Sequence, residues 1–215
     1  MISALYTCHV EAKLIHRDIK PENIMLSKED DLTIVDFGIS KKFIGEDDIV
    51  DSNRGTVLFF APEMVRTGQV QKIIHGRCTD IWAAGVTLYM MATGNHPFES
   101  QHVFDYKTQV LTTEPDYSMF TKKDDVLFAE LLKKMLCKNP GTRATVTELL
   151  DDGWLTRNKK NPIYLYKVIE TDNESESVET DEGLDVISED ENDDDVGQVN
   201  TRIRTFPKRL ISRYA

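Results

Sequence analysis

The 215-residue sequence lacks the features that mark several common protein classes. Its three cysteines, Cys8, Cys78 and Cys137, form no CxxC pair and have no histidine at zinc spacing. That argues against a disulfide framework or a structural zinc site and fits a reducing compartment. No run approaches the roughly 18 apolar residues that a membrane span needs. The opening MISALYTCHV has neither a basic start nor a long apolar stretch, so it does not read as a secretory leader. No GxGxxG occurs, and no internal repeat is visible. A cytoplasmic protein with no membrane partner is the expectation, with the nucleus also open.

Charge is plentiful but unevenly placed. The net charge is −11, yet residues 170–200 hold fourteen Asp and Glu and no Lys or Arg. Residues 201–215 hold Arg202, Arg204, Lys208, Arg209 and Arg213 and no acid. The first 169 residues are therefore nearly neutral and give no reason to expect a nucleic-acid partner. The acidic stretch is poor in apolar residues, which predicts a disordered tail. Ser188, followed by Glu189, Asp190 and Glu191, is a candidate acid-directed phosphosite within it. In the basic end, Ile203, Phe206, Leu210 and Tyr214 recur at three or four residues, as in calmodulin-target helices. Pro207 opposes a continuous helix there, and folding back onto the acidic run is the competing reading.

The first part of the chain carries regular patterns. Residues 2–9 predict one or two helical turns. Asn23 to Leu26 and Leu32 to Val35 predict two short strands around a polar turn. Residues 39–60 read as loop. DIWAAGVTLYMMA, residues 80–92, is apolar nearly all round, the pattern of a helix buried on every side, and Gly94 and Pro97 close it. Residues 124–136 are amphipathic, with Val126, Leu127, Ala129, Leu131, Leu132, Met135 and Leu136 on one face. Thr145 and Glu148 form a capping box before a last helix near residue 150. The expected fold is mainly α with one small β-hairpin.

The chemistry lies in an ordered series of short motifs. His16-Arg17-Asp18 is followed by Lys20 and Asn23, then Asp36-Phe37-Gly38, then Ala61-Pro62-Glu63, Asp80-Ile81-Trp82 with Gly85, and Arg143. Each has a bland reading alone, such as a capping aspartate or a turn glycine. In this order and spacing they resemble the eukaryotic protein kinases. The resemblance covers about residues 1–157 and implies the larger, carboxy-terminal lobe of that fold.

Phosphoryl transfer needs mainly positioning and charge neutralisation. The resemblance implies that Asp18 accepts the proton of a substrate hydroxyl, and that Lys20 stabilises charge on the transferred phosphate of ATP. It implies that Asn23 and Asp36 hold Mg²⁺, a hard cation that takes oxygen ligands. Met25 would floor the adenine pocket, although a core methionine is the plain alternative. Glu63 and Arg143 would form a structural ion pair. Asp80 would cap its helix and hold the backbone near Arg17. Lys20 and Gly55-Thr56 look like the serine/threonine branch, with Thr56 bridging Asp18 and Lys20. Val57 departs from the proline common after that threonine, which leaves peptide preference open.

KIIHGRCTDIWAAGVTLYMMATGNHPF and DDGWLTR look like the calcium/calmodulin-dependent protein kinase kinases, which implies other kinases as protein substrates and leaves calmodulin as a candidate partner. Arg17 could bind a phosphate on Ser52; Asp47, Asp48 and Asp51 could instead supply that charge, or simply form a solvated acidic loop. The glycine-rich cover and the lysine–glutamate pair of the family have no counterpart in the fifteen residues before His16. The chain is thus expected to be a fragment, inactive alone, with Ile24 and Met25 facing water. The alternative is a catalytically silent lobe that serves as a binding module. The expected organisation is a partial kinase domain at 1–157, a linker at 158–169, the acidic tail at 170–200 and the basic segment at 201–215.

Overall fold

A computed structural model describes residues 1–28, 31–51, 54–66, 73–98 and 102–157, without the side chain of Phe104. The expected linker, acidic tail and basic segment, with Ser188 and Ser52, lie outside the described residues.

Helix α1 (Ile2–Tyr6) runs directly into a π-helical turn, Thr7–Glu11. Strand β1 (Leu14–Ile15) follows, then a 3₁₀ turn at Pro21–Asn23 and the hairpin β2 (Ile24–Leu26) and β3 (Leu32–Ile34). This is the expected strand pair, in the register Ile24↔Ile34, Met25↔Thr33 and Leu26↔Leu32. A second pair was not expected. Strand β4 (Lys41–Lys42) lies antiparallel to β1, inside a region read as loop, because two-residue strands are too short to show alternation. Helices α2 (Pro62–Val65), α3 (Gly76–Thr93), α4 (Val103–Thr112), α5 (Lys123–Met135), α6 (Val146–Leu150) and α7 (Gly153–Thr156) complete the order.

Helix α3 is the spine of the core. Ile81, Trp82, Ala83, Ala84 and Val86 are all buried, as an all-round apolar pattern requires. Trp82 stacks on Phe98 at 5.6 Å, and Leu131, Leu132 and Met135 of α5 are fully buried. Each such side chain contributes roughly 1.5–3 kcal/mol relative to exposure. Gly85 lets α5 approach closely, since a Cβ there would meet Met135 and Leu136 at 3.0 Å. Gly94 ends α3 with φ +75°, and Thr145 and Glu148 form the expected capping box on α6.

Three expectations are corrected. Helix α3 begins at Gly76 with His75 as N-cap, so Asp80 lies inside the helix and does not cap it; its carboxylate is used across the fold instead. Val126 is 44% exposed, because the buried face of α5 runs through Ala129, Leu131, Leu132 and Met135. Ile24 does not face water: at 8% exposure it turns into the core, and the alternation of a strand leaves only Met25, at 56%, on the outside.

Candidate active site

The site is assembled on a buried aspartate. Asp80, on α3, accepts from the backbone N–H of His16 at Oδ2 and of Arg17 at Oδ1, both at 2.8 Å. His9 donates to the same carboxylate from Nε2 at 2.9 Å. These bonds tie the chain leaving β1 to the central helix and satisfy a group only 1% exposed. Arg17 sits at φ +71°, a left-handed conformation that a non-glycine residue holds only where its surroundings fix it. Gly55, at φ +105°, lies against it; a Cβ there would meet the Arg17 carbonyl oxygen at 2.4 Å.

Around Asp18 three predicted residues converge. Asp18 Oδ1 accepts from the Thr56 N–H at 3.0 Å and the Thr56 hydroxyl at 2.7 Å. Its Oδ2 pairs with Lys20 Nζ at 2.7 Å, and Lys20 also donates to Thr56 Oγ1 at 2.9 Å. Asn23 Nδ2 donates to the Asp18 carbonyl at 2.8 Å and to Oδ2 at 3.2 Å. Burial would raise the Asp18 pKa, but the hydrogen bonds and charge of Lys20 and Thr56 outweigh it and hold the carboxyl below the usual range. It therefore stays ionised at neutral pH.

The hairpin brings the second part of the site close. Val35 N–H donates to the Asn23 carbonyl at 3.0 Å, which places Asp36 one residue beyond Asn23's partner. Asp36 is exposed, at φ +66°, and accepts from Gly38 N–H at 3.3 Å. Phe37 packs edge-on to His16 with ring centroids 4.7 Å apart. His16 accepts from Asp18 N–H at Nδ1 and donates from Nε2 to the Val35 carbonyl, so the tautomer with the proton on Nε2 links the two motifs.

Oxygen ligands suit a hard cation that keeps its waters. The nitrogen of the Asn23 amide is turned to Asp18, which leaves its oxygen on the other side, and Asp36 follows Val35, whose N–H bonds the Asn23 carbonyl. Among the described residues no group of three His, Cys, Asp or Glu could cage a metal ion. The donor set fits Mg²⁺ held by two oxygens and a substrate's phosphates.

The remaining predicted residues lie away from this cluster. Arg17 donates from Nε to the Ile39 carbonyl; Ser52, its proposed phosphate partner, lies outside the described residues. Met25 is on the exposed face of the hairpin. Glu63 and Arg143 form a two-pronged pair at 2.7 and 2.8 Å, and Arg143 also reaches the carbonyls of Cys78 and Cys137. The acidic-loop reading fails for Asp48, which is 1% exposed and bonded to His75 and Arg77. The sequence reading gave His9 and His96 no role and did not foresee the buried partners of Asp48. His96 donates from Nε2 to the Leu58 carbonyl at 2.9 Å and fastens the turn after Thr56. Its burial lowers its pKa. Asp80 for His9, His75 for Asp48 and Leu58 for His96 are 27 or more residues away in the chain, so no local pattern signals these contacts.

Known proteins match most of the chain. The family model described as protein kinase domain matches residues 1–155. A probable serine/threonine-protein kinase of Dictyostelium discoideum is 36% identical over 182 residues, covering 84% of this chain and 25% of its own length. The calcium/calmodulin-dependent protein kinase kinase cmkC of Emericella nidulans is 33% identical over 153 residues, covering 70% of this chain and 28% of its own. The serine/threonine-protein kinase ppk34 of Schizosaccharomyces pombe is 36% identical over 148 residues, covering 69% and 40%. The chain thus spans between a quarter and two-fifths of the length of these relatives.

Proposed function

The chain belongs to the protein kinase family, and on that premise we propose that it is the larger lobe of a serine/threonine kinase that transfers the γ-phosphate of ATP to Ser or Thr hydroxyls of protein substrates. The observation that carries this reading is the closed set of contacts among Asp18, Lys20, Thr56 and Asn23. Asp18, held ionised, would accept the proton as the hydroxyl attacks. Lys20, within 2.7 Å of Asp18, would stand beside the transferred phosphate and offset its charge. Thr56 keeps both in place by donating to one and accepting from the other. Asn23 and Asp36 would hold Mg²⁺, which when bound neutralises phosphate charge.

The glycine-rich cover and the lysine–glutamate pair that the reaction also requires would come from a segment outside these 215 residues, which leaves the isolated lobe inactive. Other kinases are proposed as substrates, supported by the relative named a calcium/calmodulin-dependent protein kinase kinase. Calmodulin binding through residues 201–215 and a cytoplasmic location stand as proposals on the sequence pattern alone.

The test is a γ-labelled ATP assay on the lobe alone and joined to a kinase amino-terminal lobe. Label on Ser and Thr, in the joined form only, supports the reading. Label on Tyr overturns the substrate class. Absence of both transfer and ATP–Mg²⁺ binding in the joined form would leave the silent binding module.

A further inference from the structure

The chain between Asp36-Phe37-Gly38 and Gly55-Thr56 is braced at a point no motif marks. Asp48 lies in that stretch and is 1% exposed. Its Oδ1 accepts from His75 Nδ1 at 2.6 Å; its Oδ2 accepts from Arg77 N–H at 3.1 Å and Arg77 Nε at 3.0 Å. Its backbone carbonyl accepts from Gly76 N–H at 2.8 Å.

These donors are the first residues of α3. His75, the N-cap, bonds none of the helix N–H groups with its own side chain, so Asp48 supplies from a distant segment the acceptor and negative charge that a helix start favours. An aspartate removed from water is stable only when so paired.

Neighbouring contacts extend the brace. Ile49 bridges to His75, and Val50 N–H donates to the Ile74 carbonyl at 2.9 Å. Lys41 of β4 donates to the Ile49 carbonyl at 2.6 Å. Val50 packs with Ile15, Phe43 and Ile74 in a small cluster separate from the main core, and Ile15 lies one residue before His16. The segment is thus fixed to α3 at Asp48–Val50 and to the loop carrying Asp18 at Gly55–Thr56.

We propose that Asp48 is a positioning residue: its carboxylate fastens this segment to the start of α3 and so sets Thr56 against Asp18. Its consequence for activity rests on the kinase reading; its structural consequence does not.

The test is residue-resolved amide hydrogen exchange on the full 215-residue chain and on Asp48→Asn and Arg77→Gln. The Thr56 N–H, bonded to Asp18, is the reporter. In Asp48→Asn it should exchange roughly tenfold faster, while the amides of α5 keep their rates. Arg77→Gln should act in the same direction, and it keeps the test decisive should Asp48→Asn fail to fold. Faster exchange at Val50 and Gly76 with Thr56 unchanged would reduce Asp48 to a local brace and overturn the proposal. In an active joined form, Asp48→Asn should lower kcat and leave KM for ATP unchanged; an unchanged kcat would also overturn it. A wild-type joined form that neither transfers phosphate nor binds ATP–Mg²⁺ would sink the kinase reading and leave the exchange result standing.

Discussion

Two carboxylate–cation contacts of equal length lie in opposite surroundings. Glu63–Arg143 and Asp18–Lys20 both measure 2.7 Å. The Arg143 side chain is fully buried and Glu63's is 10% exposed, whereas those of Lys20 and Asp18 are 21% and 13% exposed. Arg143 spends its donors on Glu63 and two backbone carbonyls and lies over the Trp82 ring at 5.1 Å. That pair locks α2 to the core from within. Asp18 and Lys20 are held by Thr56 and Asn23 from one side and stay reachable by solvent. The difference is one between holding the fold and meeting a substrate, and chemistry of the groups alone would not reveal it.

Substitutions should separate the two. Arg143→Ala strands the Glu63 carboxylate in the interior and should cost about 3–5 kcal/mol in urea unfolding. A loss under about 1 kcal/mol would mean the pair is as dispensable as a surface one. Asp80→Ala removes the acceptor of two backbone N–H groups and His9, and each buried donor left bare costs about 1–3 kcal/mol; calorimetry should show a lowered Tm. By contrast, Asp18→Asn should change stability by no more than about 1 kcal/mol, since its partners remain near water. An equal loss for Asp18→Asn and Arg143→Ala would erase the distinction.

The smallest effect is in pH. The Asp18 pKa is depressed in the folded state. Its stabilising contribution is therefore complete above the ordinary carboxylate range and fades as pH falls through and below that range. Asp48 shifts the same way, burial being outweighed by His75 and Arg77. Acid titration of unfolding should show a shallower loss in Asp18→Asn than in the wild type. An identical acid limb would mean that Asp18 gains nothing from Lys20 and Thr56.

Legibility in the sequence followed the range of the interactions. The hairpin, α3, α5 and the capping box are set by neighbours within a few residues, and pattern located them. The residues around Asp18 were legible because their motifs come as a set. The place of Asp80 was half legible: its hold on the backbone near Arg17 was expected, its position within the helix was not. The β1–β4 pair, the contact of His9 with Asp80, and the role of Asp48 rest on contacts across 26 to 71 residues, where periodicity is silent.

The most direct test compares γ-phosphate transfer by the wild type and Asp18→Asn, both joined to an amino-terminal lobe, with ATP–Mg²⁺ binding measured on the same samples. The proposed role of Asp18 requires transfer to fall roughly 10²- to 10⁴-fold while nucleotide binding is retained. Wild-type turnover in Asp18→Asn would contradict it.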